Sequence, residues 1–134
     1  MKTVLLLEDE VSIMKLLRHV LKQYSLVEAA TAEEALLLFI DHDHKIDLLV
    51  ADLNVPVRSG VQVALLLRTR LPALPVILTS GYPVSGWGEQ DSAGPERLGS
   101  HSVTVLQKPF SAKALMSAVR ELTEATPFEA ARTA

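Results

Sequence analysis

Short, mostly apolar segments alternate with amphipathic helical patterns along this chain, and the alternation limits its fold more than any other feature. Apolar runs of four or five residues are too short for a buried helix and indicate strands that are covered on both faces. Between them, apolar residues recur at intervals of three and four, as at Ile13, Leu17 and Val20, which marks one face of a helix. The pattern predicts one α/β domain with a parallel sheet and right-handed crossovers. The predicted strands are residues 4–7, 25–29, 48–51, 76–79 and 103–106.

The long helix expected between the fourth and fifth strands is missing from the pattern. Residues 81–102 contain repeated glycines and prolines, which interrupt any long helix there. We therefore predict a (βα)5 doubly wound, five-stranded parallel sheet with a fourth helix that is short or replaced by a glycine-rich loop. We take the strand order as 2-1-3-4-5. This loop should be poorly packed, and Trp87 within it could anchor a partner or cover the base of the loop. We expect residues 1–125 to form the domain and residues 126–134 to be a frayed tail.

Charge and residue usage exclude several classes of protein. A formal net charge of −3, without a cluster of Lys and Arg, argues against a nucleic-acid-binding surface. The absence of cysteine excludes disulfide scaffolds, zinc sites built on thiolates and cysteine nucleophiles. Met1 and Lys2 lead almost directly into the first apolar strand, unlike a signal peptide, and no apolar run is long enough to span a bilayer. We therefore expect a cytoplasmic protein that binds neither nucleic acid nor membranes.

Side chains that can carry chemistry follow four of the five predicted strands. Three carboxylates, Glu8, Asp9 and Asp52, stand after the first and third strands, which are neighbours in the predicted order. They would share one crevice at the carboxyl edge of the sheet and repel one another unless a cation joined them. Oxygen ligands of this kind suit Mg²⁺. Thr79 could donate to a phosphoryl oxygen and Lys108 could neutralise it, which leaves Asp52 as the candidate nucleophile.

At these residues the sequence resembles the receiver domain of two-component response regulators. The resemblance covers about residues 2–124. It implies that Asp52 accepts a phosphoryl group from a histidine kinase or a histidine phosphotransfer protein, and that the chain catalyses only its own phosphorylation and dephosphorylation. The matching stretches are Leu7-Glu8-Asp9-Glu10, Asp52-Leu53-Asn54-Val55-Pro56 with Gly60, Pro75-Val76-Ile77-Leu78-Thr79-Ser80-Gly81, and Lys108-Pro109-Phe110.

The resemblance also implies a metal site and a pair of residues that sense the phosphoryl group. Thr79 and Lys108 would contact that group, and the peptide bond between Lys108 and Pro109 would be cis. Such a receiver would be a monomer or a weak dimer that depends on phosphorylation. The implied Mg²⁺ ligands are Glu8, Asp9, Asp52 and the backbone carbonyl of Asn54.

Two departures from the family pattern affect the output of the switch. Receivers usually carry Tyr or Phe three residues before the lysine, where this chain has Val105. The segment between Thr79 and Lys108 is also longer than usual and rich in glycine. Both features favour an alternative hypothesis, in which the chain is a receiver-fold interaction module that works without phosphorylation. A further tract, residues 41–44, alternates Asp and His, and we expect it to be a solvated connector instead of a metal site.

Overall fold

Five parallel strands form one sheet at the centre of the computed structural model, which describes residues 1–99 and 101–123. They are β1 (Thr3–Leu7), β2 (Ser25–Ala29), β3 (Leu48–Asp52), β4 (Val76–Ser80) and β5 (Val103–Gln107). The order across the sheet is β2-β1-β3-β4-β5, which confirms the predicted topology. The predicted tail, residues 126–134, lies outside the described residues, so the domain boundary at residue 125 stays a prediction.

Helices cover both faces of the sheet. They are α1 (Val11–Val20), α2 (Ala32–Asp41), α3 (Gly60–Arg68), a 3₁₀ turn (Val84–Gly86), α4 (Glu89–Ser92), α5 (Gly94–Leu98) and α6 (Ala112–Thr123). α1 and α6 pack on one face, whereas α2, α3 and α5 pack on the other. The short turns between β4 and β5 confirm the prediction of a reduced fourth helix. Within the described residues, no helix is long and apolar enough to cross a membrane.

The interior strand β1 is apolar on both faces because helices cover it from both sides. Leu5 and Leu7 join the hydrophobic cluster beneath α2 and α3, whereas Val4 and Leu6 join the cluster beneath α1 and α6. Side chains alternate between the faces along a strand, so an unbroken apolar run is required here. Burial of each such side chain stabilises the fold by about 1.5–3 kcal/mol. The two layers therefore hold the carboxyl end of the sheet, and the residues that follow it, at fixed positions.

α3 begins directly against the carboxyl end of β3. Ser59 caps the helix, since its hydroxyl accepts from the backbone N–H of Gln62 at 3.2 Å, and the Gln62 side chain accepts from the N–H of Ser59 at 2.9 Å. Gly60 approaches β3 so closely that a Cβ atom there would lie 2.5 Å from the Asp52 carbonyl oxygen. Only glycine permits this approach. The start of α3 and the backbone of Asp52 are therefore in direct contact.

The segment between β4 and β5 is better packed than its glycine content predicts. Trp87 is 7 % exposed, and Gly94 and Leu98 are also buried. The indole Nε1 of Trp87 donates to the Ser80 hydroxyl and to the Tyr82 carbonyl, each at 3.2 Å. The expectation of a poorly packed loop is therefore wrong at these positions. Of the two roles considered for Trp87, the structure supports the one in which it covers the base of the segment.

Arg68, at the end of α3, forms hydrogen bonds with the second part of the segment between β4 and β5. Its guanidinium donates to the Leu74 carbonyl at 2.6 Å, to the Leu98 carbonyl at 2.8 Å and to the Ser102 hydroxyl at 2.8 Å. Burial lowers the pKa of Arg68, but a guanidinium remains charged at neutral pH. Hydrogen bonds from a charged donor are stronger than neutral ones. Arg68 therefore ties α3 to α5 and to the start of β5.

Candidate functional site

Lys108 lies among three acidic side chains at the carboxyl edge of the sheet. Its Nζ lies 3.0 Å from Glu8 Oε1, 3.4 Å from Asp52 Oδ1 and 3.5 Å from Glu10 Oε1. Glu8 follows β1, Asp52 ends β3 and Lys108 follows β5, so three strands contribute to one polar cluster. The peptide bond between Lys108 and Pro109 is cis, as the family resemblance implies.

Burial disfavours the ionised forms of the side chains in this cluster. Glu8 and Asp52 are 2 % and 4 % exposed. Burial raises the pKa of both carboxyl groups, although attraction to Lys108 offsets part of the effect. Burial alone would lower the pKa of Lys108, but its close contact with Glu8 and the charges of Asp52, Glu8 and Glu10 outweigh burial, so that pKa is raised. One ammonium group therefore faces three carboxyl groups, and the cluster is short of positive charge.

The carboxyl groups are arranged for a divalent cation. Oxygen atoms of Glu8, Glu10 and Asp52 all lie within 4.8 Å of one another. Glu8 Oε1 is buried and accepts no hydrogen bond within the described residues, although it pairs with Lys108 at 3.0 Å. A buried carboxylate oxygen whose one close partner is an ammonium group keeps a free lone pair, and Mg²⁺ binds oxygen ligands of this type. The residues present therefore fit Mg²⁺ beside Lys108.

The acidic cluster differs by one residue from the expected metal ligands. Asp9 is exposed and lines a groove beside α1, outside the cluster. Glu10 joins the cluster, and its backbone N–H donates to Glu8 Oε2 at 3.1 Å. Sequence reasoning missed Glu10 because Glu10 immediately precedes α1. An acid at the start of a helix is already explained by its favourable interaction with the helix dipole. The run of three consecutive acids was the signal available. A metal-binding role for Asp9 stays a prediction.

Two more of the predicted site residues flank Asp52. Thr79 pairs with Asp52 in the register of β3 and β4, and it is buried. The backbone N–H of Asn54 donates to Asp52 Oδ1 at 3.4 Å. Both residues therefore lie beside the candidate nucleophile. The contact of Thr79 with a phosphoryl group and the metal-binding role of the Asn54 carbonyl stay predictions.

Val105 occupies the position where receivers usually have an aromatic switch residue. It lies in β5 opposite Leu78 and packs, half-buried, against the hydrophobic cluster that contains Trp87. Valine has one strongly preferred side-chain rotamer in many backbone contexts and no ring to turn inward. This position therefore cannot supply the rotation of an aromatic switch.

The Asp and His tract after α2 makes local contacts. A ring nitrogen of His42 lies 2.8 Å from the Leu38 carbonyl oxygen, and the His44 ring lies against Phe39 with centroids 4.7 Å apart. Among residues 1–99 and 101–123, the tract contributes to no cluster of metal-ligating side chains. These contacts agree with a connector between α2 and β3.

Comparison with known proteins yields a family and two kinds of relative. The sequence matches the response regulator receiver domain over residues 4–120. Response regulator protein FleR from Pseudomonas aeruginosa is 34 % identical over 118 residues, which cover 87 % of this chain and 23 % of that protein. Sensor kinase CckA from Brucella abortus is 32 % identical over 126 residues, which cover 91 % of this chain and 12 % of that protein. The crystal structure of a receiver domain from hybrid histidine kinase CckA aligns with a TM-score of 0.70 at 29 % identity, over 90 % of this chain and 98 % of that one. The chain thus spans less than a quarter of either curated relative.

Proposed function

The chain belongs to the response regulator receiver domain family, and from that premise we propose that it is the phosphoacceptor of a two-component phosphorelay. Asp52 takes the phosphoryl group from a phosphohistidine of a histidine kinase or a histidine phosphotransfer protein. The observation that carries the proposal is the contact of Lys108 with both Glu8 and Asp52 in a buried cluster. Phosphoryl transfer depends on positioning and charge neutralisation, and this cluster supports both. The chain acts on no substrate beyond its own aspartate.

The proposed transfer exchanges one bond to phosphorus for another. A carboxylate oxygen of Asp52 bonds to phosphorus, and the bond between phosphorus and the donor's histidine nitrogen breaks, with its electron pair returning to the imidazole. Lys108 favours the ionised form of Asp52 that this attack needs. In the acyl phosphate, the ammonium group pairs with a phosphoryl oxygen, and the Thr79 hydroxyl donates to another.

The proposed metal ligands lie around the same carboxylate. Glu8, Asp9, Asp52 and the backbone carbonyl of Asn54 would hold Mg²⁺, and the position of Glu10 makes it a further candidate. Bound Mg²⁺ would neutralise charge on the phosphoryl oxygens and so reduce their repulsion by the carboxylates. The close grouping of the Glu8, Glu10 and Asp52 oxygen atoms around a single ammonium group supports this assignment.

Intact mass spectrometry after treatment with acetyl phosphate tests the proposal. With Mg²⁺ we expect the mass of one phosphoryl group to be added, and we expect no addition in Asp52→Asn or in excess chelator. Asp47→Asn is the matched control, because Asp47 lies just before the same strand at its opposite end. Equal labelling of Asp52→Asn and the unaltered protein would rule out Asp52 as the acceptor.

The alternative function, an interaction module that works without phosphorylation, is favoured by Val105 at the switch position. The same measurement separates the two functions. A module of this kind would gain no phosphoryl mass on treatment with acetyl phosphate and Mg²⁺, whereas a phosphoacceptor would.

We further propose that residues 1–125 form the accepting unit and that it works as a monomer or a weak, phosphorylation-dependent dimer, without nucleic acid. The family match over residues 4–120 supports the extent of this unit. Sedimentation velocity before and after labelling checks the oligomeric state.

A further inference from the structure

The Tyr82 hydroxyl holds the side chain of Asn54, two residues after Asp52. The phenol oxygen lies 3.0 Å from Nδ2 and 3.2 Å from Oδ1 of Asn54. A hydroxyl can donate and accept, so the pair stays bonded whichever way the amide is turned. The contact joins the loop after β3 to the loop after β4 at the carboxyl edge of the sheet.

Asn54 is linked in turn to the carboxylate of Asp52. Its backbone N–H donates to Asp52 Oδ1 at 3.4 Å, which is long for a hydrogen bond. A small outward shift of the loop would break this bond. One of the two contacts at Asp52 Oδ1, the other being Lys108 at 3.4 Å, therefore depends on where Asn54 is held.

Tyr82 is itself fixed by its neighbours, although 39 % of it is exposed. Its N–H donates to the Ser80 hydroxyl at 3.2 Å, and its carbonyl accepts from Trp87 Nε1 at 3.2 Å. Its ring lies so near Gly86 that a Cβ atom there would be 3.3 Å from ring atom Cδ2. Ser80 and Trp87 are both buried. The phenol therefore stands on a well-packed base, as a group that orients another group should.

We propose that Tyr82 is a positioning residue for the acceptor site. By holding Asn54, its hydroxyl fixes the backbone of the loop after Asp52, and with it the direction of the Asp52 carboxylate and the oxygen atoms around it. This inference deepens the proposed function and rests on it only where Mg²⁺ and phosphorylation are concerned.

The first test needs neither metal nor phosphate. Tyr82→Phe keeps the ring and removes the hydroxyl, so the side-chain amide resonances of Asn54 should shift and the hydrogen-bonded backbone amides of Asn54 and Arg58 should exchange several-fold faster. Leu53, whose N–H donates to the Thr79 carbonyl at 2.8 Å, should keep its protection and serves as the internal reference. Tyr24→Phe removes the same atom before β2, at the opposite edge of the sheet, and should change neither reading. Unchanged Asn54 resonances in Tyr82→Phe would overturn the proposal.

The second test asks whether the position of the loop matters to the site. Titration with Mg²⁺ should show a Kd raised about three- to tenfold in Tyr82→Phe, the size expected for one lost hydrogen bond. The urea midpoint should stay close to that of the unaltered protein, because the hydroxyl is partly exposed. Equal Kd values in the two proteins would show that the contact does not position the site.

A double-variant cycle separates positioning through Asn54 from a direct effect of Tyr82. Asn54→Ala keeps the backbone carbonyl and removes the amide that the hydroxyl holds. The variant with both changes should bind Mg²⁺ no more weakly than Tyr82→Phe alone, whereas additive losses would contradict a route through Asn54. If the unaltered protein neither binds Mg²⁺ nor becomes phosphorylated, the proposed function fails, and the first test still decides the role of Tyr82.

Discussion

At the scale of single residues, backbone strain in the loop between β3 and α3, residues 53–59, lies at Val57. Its φ is 73°, in the left-handed region that costs an L-residue about 1–2 kcal/mol and suits β-branched residues least. The side chain is 89 % exposed, so packing does not compensate. Both ends of the loop are fixed, at Leu53 by its bond to the Thr79 carbonyl and at Gly60 by contact with β3. The strain at Val57 therefore follows from closing a short loop between two fixed ends.

Val57→Gly should stabilise the protein by about 0.5–1 kcal/mol. Glycine relieves the left-handed strain, and the gain is reduced by the larger backbone entropy that glycine loses on folding. Urea unfolding measures the difference. Arg58→Gly is the control, because it adds the same entropy cost at the next residue, which is exposed and is not among the positive-φ residues. If Val57→Gly destabilises as much as Arg58→Gly, the strain is not present in solution.

The positions of some site residues are determined by the order of the strands, and the positions of others are determined by the geometry of the loops. Glu8, Asp52 and Lys108 could be predicted to meet, because parallel strands bring their carboxyl ends to one edge. The presence of Glu10 beside Glu8 and Asp52 could not be predicted, since the local turn of the backbone before α1 decides which of the neighbouring acids lies next to them. Tyr82 carried no local signal either. Its role emerges only when the loops after β3 and β4 lie side by side.

At the scale of elements, the junction between β3 and α3 sets the position of Asp52, the proposed acceptor. A Cβ atom on Gly60 would lie 2.5 Å from the Asp52 carbonyl oxygen and 3.0 Å from its carbonyl carbon. Both are backbone atoms, which cannot move aside as a flexible side chain can. The sequence identified Gly60 as the start of a helix, but the need for a missing Cβ depends on the packing of α3 against β3.

Gly60→Ala should destabilise the protein by about 1–3 kcal/mol, as overpacking does, and should slow the labelling of Asp52 by acetyl phosphate. The shift that accommodates the methyl group moves the backbone of the acceptor itself. Gly88→Ala is the matched control, since a Cβ atom at Gly88 meets nothing within 4 Å, and its stability should change by less than about 0.5 kcal/mol. Equal stability and labelling in the two variants would show that the junction is not tight.

The glycines between β4 and β5 show why composition predicted the interruption of the helix but not the packing of the segment. A Cβ atom on Gly94 would lie 2.7 Å from Val61 Cγ1, so this glycine lets α5 press against α3. Glycine in a loop usually indicates conformational freedom, and here one of the glycines provides close contact. The anchoring bonds of Arg68 also join residues far apart in sequence, and no local pattern announces them.

At the scale of the whole molecule, the parallel sheet covered by helices could be predicted because the alternation of strands and helices and the handedness of parallel crossovers leave few topologies. The structure confirms the strand order that was assumed for it. The route by which a signal leaves the site could not be predicted from the sequence, since Val105 stands where the usual aromatic switch residue would be. On the β4 side of Asp52, a chain of contacts connects β4 to the segment between β4 and β5. Ser80 follows Thr79, and its hydroxyl accepts hydrogen bonds from Trp87 and from the Tyr82 backbone.

The two halves of that segment are attached to different parts of the molecule. Its first half depends on Ser80 and Asn54, both close to the acceptor. Its second half is held by Gly94 against Val61 and by the bonds of Arg68, away from the acceptor. A change at Asp52 should therefore reach the first half and stop before the second.

We predict that beryllofluoride, which mimics the phosphoryl group, alters amide exchange in residues 81–88 and leaves residues 94–99 unchanged. If Thr79 moves toward the bound mimic, the neighbouring Ser80 hydroxyl moves with it and the hydrogen bonds that order Tyr82 and Trp87 must re-form. Changes in the order of a segment are a known mode of switching. The fluorescence of Trp87 should change with the same dose of beryllofluoride, because this is the one tryptophan of the chain. Hydrogen exchange by mass spectrometry measures the first effect, and Asp52→Asn with beryllofluoride is the control that should show neither. A change in amide exchange that is restricted to β5 would place the signal route at Val105. A change spread evenly over residues 81–99 would show that the contacts of Arg68 and Gly94 do not keep the second half of the segment independent of the first.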